Sequence, residues 1–175
     1  IAEAVALLRA AKSPIVLAGT GIHTARGHAE LERLARALQC PVIPSWGGLG
    51  CLPISDPQVL PYSVGPANEA VAEADVVVAV GTAIGEQLHY GCGMHWANGN
   101  SGRKWIYIER DPAAIGVNRA IDVPLVGDLR SVLPQLSEAV EAGGARAPNP
   151  RLPGWRQELD AFFHGLVANA PDTYP

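Results

Sequence analysis

Charge is the first scarcity. Asp, Glu, Lys and Arg make up 17% of the 175 residues, and 13 cationic against 17 acidic side chains leave a net charge of −4. With no basic stripe, the sequence lacks the electrostatic footprint of a nucleic-acid binder. Long hydrophobic runs are missing as well. No apolar stretch approaches the roughly 20 residues that a membrane-spanning helix needs, and no charged-then-apolar leader opens the chain, so no membrane partner is expected. Cysteine is sparse: Cys40, Cys51 and Cys92 are odd in number and form no CxxC pair. That points to reduced thiols in a cytoplasmic protein rather than to a disulfide framework. The four tryptophans are spread too widely to suggest a stacking platform for bases. The start at Ile1 instead of methionine raises the expectation of a piece of a longer chain.

What is present is apolar. Such residues reach 48%, an ordinary globular share, and the length suits one domain with a full core. Ala4, Leu7, Leu8 and Ala11 fall at helical spacing, so a helix is predicted before Ser13-Pro14. The run Ile15-Val16-Leu17-Ala18 reads as a buried strand entering the loop Gly19-Thr20-Gly21. Over residues 26–39 the stripe Leu31, Leu34, Ala35 and Leu38 marks a helix on which Glu32 can meet Arg36. A second strand is predicted at 41–44, then a glycine- and proline-rich stretch over 45–61. Pro66 opens a helix with a face of small residues, Ala67, Ala70, Val71 and Ala74. Asp75 separates that helix from a strand at 76–80, which ends in Gly81-Thr82. A glycine-rich loop over 85–102 precedes strands at 105–108 and 123–126, and the core closes with a helix carrying Leu129, Val132, Leu133, Leu136 and Val140. Pro134 sits deep if that helix starts at Asp128; either its first turn is irregular or Ser131 is the cap.

Strands alternating with helices predict an α/β fold, a doubly wound, Rossmann-like parallel sheet of five or six strands with helices on both faces. Residues 1–142 form this domain in our reading. Residues 143–175 comprise a linker and a helix, marked by Trp155, Leu159, Phe162, Phe163 and Leu166, that leads toward a next domain.

Few residues invite chemistry. Gly19-Thr20-Gly21 supplies GxG, but Thr24 replaces the third glycine of a dinucleotide fingerprint, and Pro44-Ser45-Trp46 offers no acid at the end of the second strand. A tight strand-to-helix turn and a phosphate-touching loop explain the glycines equally well. His89, Cys92 and His95 are three apart, yet zinc sites draw four ligands from paired motifs and no second pair exists; the plain reading is a loop, and no metal is expected. Asp111 and Asp128 each follow a strand and precede a helix, where capping explains them. Glu109 lies at the carboxyl end of the fourth strand without a capping role, on the edge where open α/β sheets bind ligands. The candidate nucleotide-contacting set is therefore Gly19, Thr20, Gly21, Gly81, Thr82, Glu109 and Asp111. No catalytic residue is assigned. A stand-alone NAD- or nucleotide-binding protein of similar fold stays open as the alternative.

The order of segments resembles a known family. AKSPIVLAGTG, GGLGCLPISDP, ANEAVAEADVVVAVGT and above all IERDPAAIGVNRAIDVPLVGD are similar, in sequence order, to the central domain of acetolactate-synthase-like, thiamine-diphosphate-dependent enzymes. The similarity spans roughly residues 4–140. It implies a carboligase or decarboxylase acting on a 2-oxo acid, a transferase or lyase whose thiamine diphosphate and Mg2+ are held by flanking pyrimidine and diphosphate domains. The partners so implied are those domains and further copies in a homodimer or homotetramer. Neither the activating glutamate nor a Gly-Asp-Gly motif belongs to this segment, since Gly127-Asp128 continues with Leu129. The resemblance makes the domain a non-catalytic scaffold that in some relatives binds FAD or an ADP-containing group. Ala83 stands near the place where flavin-binding relatives tend to carry an arginine, with Arg103 and Arg110 as possible substitutes, so a colourless protein is expected.

Overall fold

The computed structural model describes residues 1–92, 94–96 and 102–168, with Met94 described by its backbone alone. Part of the glycine-rich stretch 85–102 and the whole tail 169–175 thus lie outside the described residues. Five parallel strands form one sheet in the order β2-β1-β3-β4-β5: β1 Pro14–Ala18, β2 Val42–Pro44, β3 Val76–Val80, β4 Lys104–Glu109 and β5 Val123–Val126. All five lie where the apolar runs predict them. Beyond β2, Val42 and Val59 form a single parallel bridge, so the stretch after β2 leans on the sheet edge without becoming a sixth strand.

The central strands are buried on both faces, which is why they read as continuous apolar runs instead of alternating patterns. Residue parity divides them. Val16, Val78 and Ile106 face one layer, and Ile15, Val77 and Trp105 face the other. The first layer consists of α1 (Ala2–Ala10), α2 (Gly21–Ala25), α3 (His28–Leu38) and α5 (Leu129–Glu141). On α3, Leu31, Leu34 and Leu38 are fully buried, each contributing about 1.5–3 kcal/mol of apolar burial. The second layer contains α4 (Gly65–Glu73), the first half of α6 (Leu152–Ala168) and irregular segments on either side of β4.

Two local features differ from the sequence expectation. The helix predicted from residue 26 begins at His28, because Arg26 takes a left-handed φ of 55° and ends the separate short helix α2. In α5, Ser131 is not the cap. The Asp128 carboxylate accepts the Arg130 N–H at 2.8 Å while its carbonyl accepts Ser131 N–H and Val132 N–H. The helix therefore starts at Leu129, and Pro134 lies inside it. Asp111 caps its own short turn in the same way, accepting Ala113 N–H at 2.9 Å. Asp75 acts across the fold as well, its carboxylate taking the N–H groups of Lys12 and Ser13 just before β1.

After α5 the chain runs along the amino edge of the sheet. Arg146 donates to Leu8 O and Ala11 O at the end of α1, and Asn149 N–H donates to Gln39 O after α3. The strap delivers α6 to the second layer, where Trp155 and Leu159 are buried and Trp155 Nε1–H donates to Glu69 of α4 at 3.0 Å.

Candidate functional site

In this strand order the winding of the sheet reverses between β1 and β3, whose carboxyl ends send their connections to opposite faces. Open α/β sheets bind ligands at such a point. A cleft of about 1280 Å³ opens there. Thr20, Gly21, Gly81, Thr82, Glu109 and Asp111 all line it. Gly19, the seventh candidate, is buried beneath, where a Cβ would collide with Gly81 O and Thr82.

Gly21 and Gly81 share one contact. A Cβ on Gly21 would lie 2.7 Å from Gly81 Cα, and one on Gly81 would lie 2.8 Å from Gly21 Cα. Gly81 also has a φ of +54°, which a side chain disfavours. Gly21 N–H donates to Gly81 O at 2.9 Å, and Gly81 N–H to Ile108 O at 3.1 Å. The glycines are thus required by backbone packing between the two loops, and those N–H groups are spent inside the protein.

The charge lining the cleft is mostly negative. Glu30, Glu86, Glu109, Asp111 and Asp128 face Arg110 and Arg130. Glu109 Oε1 accepts the N–H groups of Arg110 and Asp111 at 2.8 and 3.2 Å. Tyr107, two residues earlier on the same side of β4, lines the cleft with its body buried. Burial, reinforced by the adjacent Glu109 carboxylate, pushes the phenol up to about 12; at neutral pH it is a neutral hydroxyl. Tyr107, Ser45, Arg130 and the two outer glutamates were not singled out from the sequence. Period 2 back from Glu109 locates Tyr107, whereas the others converge only through the fold.

Arg103 does not reach this edge. It precedes β4, at the amino side of the sheet, and its guanidinium donates to Val71 O, Ala72 O and Ala74 O at the end of α4 and to Trp96 O. Placing it as a substitute phosphate ligand is therefore incorrect: those carbonyls hold it at the opposite edge. Arg119 is engaged similarly, stacking 3.9 Å from the Trp105 ring centre and donating to Tyr90 O and Gly91 O. That clasp holds a segment in which His89, Tyr90 and Gly91 all have positive φ. Near it, Cys92 Sγ–H donates to His89 O. Among the described residues, no three His, Cys, Asp or Glu side chains gather to hold a metal. Nor does a Ser, Thr or Cys side chain hydrogen-bond a histidine ring among the described residues; the His23 ring pairs instead with His28 and with Leu49 O.

The site thus defines an open doubly wound domain with an acidic recess at its switch point and, among the described residues, no nucleophile hydrogen-bonded to a histidine ring. The family model described as thiamine pyrophosphate enzyme, central domain, matches residues 1–136, and the chain belongs to that family. It is 32% identical over 166 residues to the acetolactate synthase isozyme 3 large subunit of Escherichia coli (strain K12), covering 93% of this chain and 28% of that protein. It is 35% identical over 146 residues to the probable acetolactate synthase large subunit of Methanocaldococcus jannaschii, covering 81% and 24%. Against an acetolactate synthase of Arthrospira platensis the identity is 36% over 140 residues, covering 76% and 24%. The chain spans about a quarter of the length of these relatives.

Proposed function

We propose that this chain is the non-catalytic central domain of an acetolactate-synthase-like carboligase or decarboxylase that acts on a 2-oxo acid with thiamine diphosphate and Mg2+. The observation that carries the non-catalytic role is the employment of Asp128. Gly127-Asp128 is the nearest thing here to a diphosphate-metal motif, yet Asp128 is the N-cap of α5 and buried Leu129 follows it. Its carboxylate is turned to the chain's own Arg130 N–H. The cofactor and its metal therefore belong to flanking domains, and thiamine diphosphate supplies carbanion stabilisation when bound there.

This domain contributes position. Its parallel sheet is a rigid plate, the strap at the amino edge fixes where α6 leaves, and α6 is clamped by Arg151 to Glu69 and Glu73. Assembly as a homodimer or homotetramer is part of this reading. A cytoplasmic location is too, supported by three free cysteines, two of them buried. No helix among the described residues is long and apolar enough to cross a membrane. A ligand of this domain would lie over residues 19–21, 81–82 and Glu109. Calorimetry is the test. The protein at full natural length should take up thiamine diphosphate in a saturable, magnesium-dependent manner, and the isolated chain should not. Saturable uptake by the isolated chain would overturn the scaffold role.

A further inference from the structure

A recess at the switch point of a doubly wound sheet is where a nucleotide diphosphate would be expected, and FAD or an ADP group is the occupant that the resemblance allows in some relatives. A buried diphosphate needs N–H groups free to donate at helix starts, and cationic side chains to replace lost hydration. At three starts that line the cleft the N–H groups are already taken, and its cations are outnumbered.

At the first loop, Gly21 N–H is given to Gly81 O, Ile22 N–H to Gly19 O, and His23 and Thr24 N–H to Thr20 O. The five-residue α2 therefore consumes its own first turn. At β4, the N–H groups of Arg110 and Asp111 are taken by the Glu109 carboxylate, and that of Ala113 by the Asp111 carboxylate. At α5, whose positive dipole end faces the cleft, the Asp128 carboxylate takes Arg130 N–H and its carbonyl takes Ser131 N–H and Val132 N–H. At three of the starts that open on the recess, the loop after β1, the end of β4 and the start of α5, N–H groups are thus taken by the chain's own oxygens. Charge points the same way: five carboxylates line the cleft against Arg110 and Arg130. Ala83 brings no cation beside β3, and Arg103 is held at the opposite edge.

We infer that the cleft excludes nucleotide diphosphates, FAD and ADP included, because three carboxylates of the chain, Glu109, Asp111 and Asp128, take the N–H groups at the end of β4 and the start of α5 that would bind an anion. The inference rests on the family reading only for the ligand it rejects. The carboxylates act as internal substitutes for a phosphate: they satisfy the turn starts and repel a second anion.

The experiment uses the protein at full natural length. Flavin is sought in the supernatant after denaturation, and FAD and ADP are each titrated by equilibrium dialysis. The expected result is no flavin absorbance and no saturation below about 1 mM of either ligand. Flavin near one per chain, or micromolar ADP binding, would overturn the inference. The triple variant Glu109→Gln, Asp111→Asn, Asp128→Asn supplies the second arm. Asparagine caps helices about as well as aspartate, so the fold should persist, as circular dichroism will report. Removing three charges should raise ADP affinity by about tenfold or more. An unchanged affinity in the folded variant would show that the carboxylates are not the cause. Thiamine diphosphate uptake by the same preparation separates the two failures. Uptake together with bound flavin defeats this inference alone, and absent uptake defeats the proposed function.

Discussion

The two faces of the sheet solve the same burial problem with different chemistry. The face under α1, α2, α3 and α5 is aliphatic throughout, packed from Ala, Val, Leu, Ile and two cysteines. The other face holds Tyr62, Trp96, Trp105, Tyr107 and Trp155, with Arg103, Arg119 and Arg151 over three tryptophan rings at 5.4, 3.9 and 5.0 Å. The difference follows from what covers each face. Regular helices satisfy their own backbone and present ridges that leucine and valine fill. Irregular segments leave carbonyls without partners and gaps without regular shape. Large rings close the gaps, and the guanidiniums of Arg103 and Arg119, laid over two of them, carry donors to backbone carbonyls although burial lowers the pKa of both. The fit is not complete: Trp105 Nε1 and Arg119 Nε are buried without a hydrogen bond among the described residues.

The sharpest way to break this contrast is to truncate one anchor on each face. Trp105→Ala should cost about 3–5 kcal/mol and Leu133→Ala about 2–5 kcal/mol in denaturant unfolding. Only the first should also expose residues 86–91 to hydrogen exchange, because it removes the ring on which Arg119 rests. Equal exchange in both variants would dissolve the distinction. A smaller effect separates the arginines. Arg103→Met keeps the apolar stem but loses its hydrogen bonds to four backbone carbonyls, and should cost about 1.5–3 kcal/mol. Arg33→Met, on the aliphatic face, loses only exposed ion pairs to Glu138 and Glu141, and its urea midpoint should barely move.

The smallest effect is a dependence on acid. Asp122 accepts Trp105 N–H and Lys104 Nζ–H, each at 2.8 Å. Burial pushes its carboxyl up, but those two bonds, with the charges of Lys104 and Arg119, outweigh it and leave it below the usual 3.8. A carboxyl lowered on folding stabilises the native state above its unfolded pKa. That contribution fades as pH falls below about 4 and through the folded value. Asp122→Asn should therefore lower the unfolding midpoint at pH 7 and bring the two proteins closer together at pH 3; a constant gap would refute the assignment.

The contrast also marks what the sequence made legible. Strands buried on both sides announce themselves as apolar runs, and leucines spaced along α3 and α5 reveal the aliphatic layer. Asp111 and Asp128 are recognisable as caps because position alone explains them. The irregular layer was not legible, since a chain held by Arg119 on Trp105 has no period. The candidate set at the carboxyl edge followed from strand ends, and six of its seven residues line one cleft. The charges facing them from α3, α5 and the segment after β3 converge only in three dimensions. Pro134 inside α5 shows that a strong local signal can yield: a carboxylate cap and five buried apolar side chains outweigh one missing N–H.

The contact between Gly21 and Gly81 has a consequence for how this domain can change over generations. Each backbone occupies the space in which the other would place a side chain, so a substitution at either is blocked whatever residue stands at the other. The loops after β1 and β3 are pinned together at this point. Divergence at this edge must proceed through the residues that surround the pair, and Ala83, Glu109 and Asp128 are among those that line the same cleft.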